Sequence, residues 1–243
     1  MIGLGTLVNM AAIVIGASIG TLLQGVLRER FQTTIMNGLG LAVMFIGISG
    51  ALQGIFVVDG TRLGTANIML MIVSLAIGGF FGEWIDIEAR LERMGEKLKI
   101  RLKVKGVKGQ NFVEGFVSSS LLFCVGAMAI IGSLKDGLSG DATMLYAKAF
   151  IDGTTAIFFA STLGVGVFFS ILPLGLYQGL ITISARYIEP YLGDVLISEI
   201  SLIGSVLIFG IGINMLFGKK IKVGNLLPAV LVPVCFGMIK GLL

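Results

Sequence analysis

The residue with the clearest potential for chemistry is Asp152, a carboxylate inside a long apolar run. A charge at the centre of a membrane costs about 2.5 to 3.5 kcal/mol on insertion scales, so a compensating interaction or a function is expected. On a helix one stripe would carry four polar residues: Lys148, Asp152, Thr155 and Thr162. A carboxylate beside hydroxyls suits a sodium ion or a transferable proton. The alternative is a Lys148–Asp152 pair near the membrane surface that only ends a helix.

A second group of candidate residues is the run Ser118, Ser119 and Ser120. Three successive residues fan over about 200° of a helix surface, so at least one of these serines should face protein or water rather than lipid. One interpretation is contact with a solute or an ion. The other is donation to backbone carbonyls one turn earlier in the same helix.

Three amides inside apolar runs complete the candidates: Asn9, Asn67 and Gln178. Asn9 and Asn67 stand beside stripes of small residues, a pattern typical of helices that approach closely and exchange hydrogen bonds. We expect that role for both, with direct ligand binding as the alternative. Gln178 is a weaker signal of the same kind. Apart from a sodium ion at Asp152, no cofactor is expected.

The missing residue types exclude most catalytic chemistry. The chain contains no histidine, which excludes Ser-His-Asp and Cys-His nucleophile systems, histidine-ligated haem and most zinc sites. An intramembrane aspartyl protease needs two facing carboxylates, and the sequence offers Asp152 no second deep acidic residue. We therefore expect that the protein is not an enzyme.

These candidates must be positioned by a scaffold inside a lipid bilayer. Of the 243 residues 56% are hydrophobic and 13% are charged, whereas a soluble domain has about 25% charged residues. The sequence predicts an all-α polytopic transmembrane helix bundle of seven to eight spans, with one or more broken helices. The eight apolar runs are Leu4–Leu27, Ile35–Val57, Ala66–Ile85, Phe112–Leu134, Leu145–Ile171, Leu174–Ile188, Ile200–Phe217 and Leu226–Leu243. Because the sixth run is short and follows Pro173, the fifth and sixth could be one span and a broken piece.

The basic residues predict an orientation rather than a nucleic-acid partner. Eight of the 18 basic residues lie between Arg90 and Lys108, and loops of this kind face the cytoplasm. In the segment 84–110 we expect a cytoplasmic amphipathic helix along the membrane interface, followed by a basic loop that anionic lipids attract. The apolar face of this helix is expected to contain Trp84, Ile87, Leu91, Met94 and Leu98.

The whole chain, 1–243, is expected to form a single transmembrane domain. Within it, two hairpins at 1–57 and 66–134 resemble each other, because a shift of 58 positions superposes Asn9 on Asn67 and Gly20 on Gly78. The two hairpins then differ mainly by the inserted charged loop. The stripes of small residues also permit close packing of a second copy, so a homodimer is one expected assembly.

Several motifs of the chain resemble those of one bacterial family. They are the serine-rich stretch 118–134, the loop 135–140, Asp152-Gly153 with the segment 159–164, the start 5–9, the segment 82–88 and the Leu-Tyr-Gln-Gly motif ending at Gly179. Over nearly its whole length the chain resembles the YdfK/YqgA family, the inner-membrane proteins catalogued as domain of unknown function 554. The resemblance implies a multi-pass protein of the bacterial cytoplasmic (inner) membrane and supplies no catalytic residue. It adds Ser161, beside Thr162, to the candidates.

Together these observations predict a multi-pass membrane protein that transports a small solute with a coupled cation, sodium or a proton. Asp152 and the neighbouring hydroxyls would hold the cation. A passive channel is the first alternative, for the case in which the hydroxyls line a continuous wet path. A scaffold or sensor that acts through the interfacial helix without transport is the second.

Overall fold

The computed structural model describes residues 2–24, 29–59, 62–104, 111–188 and 193–242, and within them the chain is almost entirely helical. The α-helices are α1 (Leu4–Gln24), α2 (Glu29–Ile55), α3 (Ile68–Ile85), α4 (Ile87–Arg101), α5 (Phe112–Cys124), α6 (Ala127–Ser139), α7 (Thr143–Leu163), α8 (Ile171–Ile188), α9 (Asp194–Phe217), α10 (Val223–Leu226) and α11 (Val232–Leu242). Two 3₁₀ helices, Gly164–Ser170 and Leu227–Leu231, lie between them. Strands β1 (Phe56–Asp59) and β2 (Arg62–Thr65) form an antiparallel pair with Phe56 opposite Thr65. The predicted all-α class is confirmed.

The chain divides into two compact units. The first unit comprises 1–39, 89–124 and 128–187, and the second comprises 40–88, 125–127 and 188–243. Each unit has a helical core of its own, and each is described separately below. The repeat of two hairpins stays a prediction.

The number of membrane-spanning helices is lower than predicted. Among the described residues, five helices are long and apolar enough to cross a membrane, or six if the bent pair α5 and α6 counts as one span. Two features of the helices account for this number. The predicted last run, Leu226–Leu243, is divided into short helices, and the predicted fifth and sixth runs are counted as one apolar stretch, Thr143–Tyr187, although a 3₁₀ helix divides it into α7 and α8.

This stretch of 45 residues turns back on itself. Straight, it would be about 68 Å long, twice the hydrocarbon thickness of a bilayer. Its two ends lie beside the start of α1, because Leu145 occupies the place where a Cβ of Gly5 would project and Thr182 lines a cavity with Thr6. The reversal begins at Gly164, whose φ of 78° lies in the region that favours glycine.

Small residues set the close approach of α1 and α7 in the first unit. A Cβ added at Gly16 would overlap the carbonyl oxygen of Gly153, and one added at Gly20 would overlap that of Ile157. Backbones in such contact are typical of helix pairs in membranes. The small-residue stripe of α1 is therefore used inside the chain, and a homodimer would need another surface.

The second unit has a similar close contact between two other helices, α3 and α10. A Cβ added at Gly82 of α3 would overlap the carbonyl oxygen of Asn225 in α10. Beyond Gly82, α3 ends at Ile85, the next residue Asp86 has a left-handed φ of 54°, and α4 begins at Ile87. The prediction of a helix in this segment is confirmed, but Trp84 belongs to α3 and is 78% exposed, because the break at Asp86 separates it from α4. Residues 105–110 of the expected basic loop lie outside the described residues.

Candidate functional site

Asp152 is buried in α7 and forms an ion pair within its own helix. The Lys148 Nζ lies 2.6 Å from the Asp152 Oδ2, and the two side chains are 8% and 7% exposed. Their spacing of four residues places both on one face of the helix. The pair is buried in the unit, unlike the surface pair that only ends a helix.

Asn9 and Gln178 join this ion pair from two other helices. Asn9 Nδ2 in α1 donates to Asp152 Oδ2 at 3.0 Å and lies 3.4 Å from Gln178 Oε1 in α8. Both amide side chains are fully buried. Asn9 thus makes the bond between helices that was expected of it, and three of the predicted site residues come together with Lys148. We call these four residues the polar centre.

The polar centre lies near the end of a helix. α5 ends at Cys124, whose thiol lies within electrostatic reach of Lys148 and Asp152. Among the described residues, no three carboxylates and thiols come together as the ligands of a metal ion would.

Four of the six predicted hydroxyls bond within their own helices. Ser119 Oγ donates to the Gly115 carbonyl, and Ser120 Oγ donates to that of Phe116. In α7, Ser161 Oγ donates to the Phe158 carbonyl at 2.8 Å and Thr162 Oγ1 to the Phe159 carbonyl at 3.0 Å. Ser118 and Thr155 are half-buried. Ser119 and Ser120 therefore bond to carbonyls one turn earlier in their own helix, and the choice between the two interpretations of Ser118 stays open.

The variants Ser119→Ala and Ser120→Ala are expected to change the free energy of unfolding by less than about 1 kcal/mol, because a hydroxyl that bonds to its own helix adds little net stability. Denaturation of the purified variants in a detergent series, followed by circular dichroism, measures the change. A loss of several kcal/mol in either variant would show that its hydroxyl has a second partner.

Asn67 belongs to the second unit, whereas the polar centre lies in the first. It precedes α3 in a left-handed conformation with φ of 63°. Its Nδ2 donates to the Gly54 carbonyl at 3.2 Å. Asn67 therefore ties the end of α2 to the start of α3.

Two further carboxylates, Asp136 and Glu88, are buried within the protein. Asp136, which was expected in a loop, lies in α6 and is fully buried. Its two oxygens accept hydrogen bonds from the backbone N–H groups of Gly3 and Gly5, at 3.2 and 3.1 Å. In the sequence, Asp136 follows the charged Lys135 and is therefore interpreted as part of a loop. If the helix is extended through this segment, Gly132 and Asp136 are one turn apart, which places Asp136 on the packed face of α6.

The other buried carboxylate, Glu88, fastens the second unit. It is 4% exposed, pairs with Lys219 at 2.7 Å and accepts the Gly224 N–H at 2.9 Å. Asn225 Oδ1 accepts the Glu88 N–H at 2.7 Å. Nearby, the hydrogen bond to Glu83 raises the pKa of the Lys222 ammonium above its usual range. These contacts hold the junction of α3 and α4 against α10.

Fold and site together define a helical membrane protein with a buried ion pair tied to amides from two further helices. The chain belongs to the family described as "Protein of unknown function (DUF554)", whose profile matches residues 4–238. This confirms the resemblance stated from the motifs.

Two relatives span nearly the whole chain. "Uncharacterized membrane protein YdfK" of Bacillus subtilis (strain 168) is 34% identical over 229 residues, which cover 94% of this chain and 93% of the relative. "Uncharacterized protein YqgA" of Escherichia coli (strain K12) is 29% identical over 230 residues, with coverage of 94% and 93%. No solved structure matches the chain significantly.

Proposed function

We propose that this protein is a multi-pass protein of the bacterial cytoplasmic membrane that transports a small solute with a coupled cation, and that the cation is a proton. The observation that carries the proposal is the buried Lys148–Asp152 pair. Ionisable residues inside membrane helices are expensive, and proton relays and ion pathways are their usual uses. The role is that of a transporter and not of an enzyme.

The geometry favours a proton over sodium. The Lys148 ammonium already lies 2.6 Å from the Asp152 Oδ2, and Asn9 donates to that same oxygen. A sodium ion at this oxygen needs several oxygen acceptors as ligands, whereas the groups that already lie there are an ammonium and an amide N–H, which are both donors. A proton on Asp152 needs no new ligands.

Protonation of Asp152 supplies a two-state switch. Once Asp152 is neutral, the Lys148 ammonium loses its counter-charge and must find another acceptor. Asn9 Oδ1 is buried and has no hydrogen-bond partner in the structure, so it offers such an acceptor on α1. A change of partner from α7 to α1 would alter the contact between these helices, which is the kind of discrete rearrangement that alternating access requires.

Charge movement in membranes tests the proposal without knowledge of the solute. Proteoliposomes adsorbed on a solid-supported electrode are exposed to a pH jump, and the transient current is integrated. We expect a pH-dependent transient for the wild type, its loss in the double variant Lys148→Gln/Asp152→Asn, and no transient after a sodium jump.

The matched control is Asp141→Asn, which makes the same chemical change at an exposed residue and should leave the transient intact. If a sodium jump produces a transient current and a pH jump does not, the coupled cation is sodium and not a proton. If neither ion moves charge, or if the double variant retains the wild-type transient, coupling at this pair is wrong. A sustained, non-saturating current would favour a channel.

A further inference from the structure

Six buried polar side chains of α1, α6 and α8 lie in two layers. Each helix contributes one residue to each layer, and the two residues are three or four positions apart, which is about one helical turn. The outer layer contains Thr6, Asp136 and Thr182, and the inner layer contains Asn9, Ser133 and Gln178. All six are at most 6% exposed.

Contacts between the helices place five of these residues together, and the helical period places Ser133 with them. In the outer layer, Asp136 accepts the Gly5 N–H beside Thr6, and a Cβ added at Gly137 would overlap the Thr182 carbonyl oxygen. In the inner layer, Asn9 and Gln178 lie within 3.4 Å of each other. Ser133 is one turn before Gly137 on α6 and therefore lies on the face that α8 covers.

Five of the six side chains have an atom that is buried and without a hydrogen-bond partner. These atoms are Thr6 Oγ1, Asn9 Oδ1, Ser133 Oγ, Gln178 Nε2 and Thr182 Oγ1. Leaving a buried polar group unpaired costs more than a typical hydrogen bond gains, so native proteins satisfy such groups with ordered water. The set includes an amide oxygen, an amide nitrogen and three hydroxyls. Because water donates and accepts equally, it fits a set of donors and acceptors better than an ion of either sign does.

We propose that the two layers hold a file of bound water that connects the Asp152 carboxylate with the start of α1, and that protons reach the ion pair along it. The inner end of the file is fixed by the hydrogen bond from Asn9 to Asp152. Its outer end meets an open groove of about 450 Å³ that is lined mainly by apolar residues and in which Thr6 and Thr182 are the polar side chains. The proton moves by exchange between neighbouring waters, each of which accepts one proton and releases another. The pathway rests on the proposed function, whereas the presence of water does not.

The first experiment detects the water and is independent of transport. The variants Ser133→Cys and Ala129→Cys are made in a Cys124→Ala/Cys235→Ser background and exposed to silver ions, and protected thiols are then counted by maleimide labelling after denaturation. Both positions are fully buried in α6, but only Ser133 lies in a layer. We expect the Ser133→Cys thiol to react at least about tenfold faster, because the ion needs water to reach it. Equal rates, whether both fast or both absent, would overturn the file.

The second experiment tests whether protons move along the file of water. In the pH-jump assay, Thr182→Val should leave the total charge unchanged and slow its appearance about tenfold, since the loss of one hydrogen-bonding group raises the transfer barrier. The control Thr154→Val removes an exposed hydroxyl that bonds to its own helix and should change nothing. An unchanged rate in Thr182→Val would overturn the pathway. A wild type without any charge movement would instead overturn the proposed function, and the silver experiment would still decide whether water is present.

Discussion

Asp152→Asn is expected to lower the free energy of unfolding by about 3 to 5 kcal/mol, because it leaves the Lys148 ammonium buried without a counter-charge. Both side chains are less than one-tenth exposed, so solvent cannot replace the lost partner. The hydrogen bond that Asn9 Nδ2 donates to the carboxylate would also meet a weaker neutral acceptor. Unfolding of the purified protein in a denaturing detergent series, followed by circular dichroism, measures the loss.

A double-mutant cycle separates the ion pair from other effects of the substitution. Replacement of both charges by apolar residues, in Lys148→Met/Asp152→Leu, should restore much of the stability that each single variant loses, since a well-packed apolar pair replaces a buried ion pair at little cost. Asp141→Asn is the exposed control, with an expected change below about 0.5 kcal/mol. If Asp152→Asn costs less than about 1 kcal/mol, or if the double variant is as unstable as the sum of the single variants, the pair is not ionised on both sides in the folded protein.

The members of the polar centre differ in how far the sequence could predict them. Asp152 is predictable because a carboxylate in an apolar run must be compensated, and Lys148 follows from the helical period. Asn9 was singled out by its neighbouring small residues. Its partnership with Asp152, however, joins residues 143 positions apart, and it depends on which glycine stripe meets which helix. Periodicity within one helix contains no information on that choice.

Two other features, the burial of Asp136 and the reversal at Gly164, were not predicted from the sequence. Asp136 follows Lys135 and precedes Gly137, a composition typical of a turn, and only the packing of α6 shows that it is buried. The reversal at Gly164 lies inside the predicted fifth run, before the break expected at Pro173, and the positive φ of the glycine marks its position. The fold class could be predicted because it follows from composition alone, whereas these positions depend on tertiary contacts.

The second large effect concerns the close approach of α1 and α7. Gly16→Ala is expected to lower the free energy of unfolding by about 1 to 3 kcal/mol. In most helices this substitution stabilises by up to about 1 kcal/mol, because alanine has the higher helix propensity. Here the new methyl group would overlap the Gly153 carbonyl oxygen and lie 3.3 Å from the Ala156 Cβ. Relief requires α1 to move away from α7. Unfolding in the same detergent series shows whether Gly16→Ala lowers or raises the free energy of unfolding.

Two matched glycines show whether the effect comes from the helix contact. Gly38→Ala, in α2, meets no atom within 4 Å and should stabilise slightly. Gly153→Ala would place its Cβ 3.0 Å from the Ala12 carbonyl oxygen. Its effect on the free energy of unfolding should therefore lie between those of Gly38→Ala and Gly16→Ala. If Gly16→Ala stabilised the protein as Gly38→Ala does, the contact of α1 and α7 would be looser than the structure shows. Because Gly16 is two turns from Asn9 on the same face of α1, a separation of the helices would also lengthen the hydrogen bond to Asp152, and Gly16→Ala should then reduce the pH-jump charge although it changes no ionisable group.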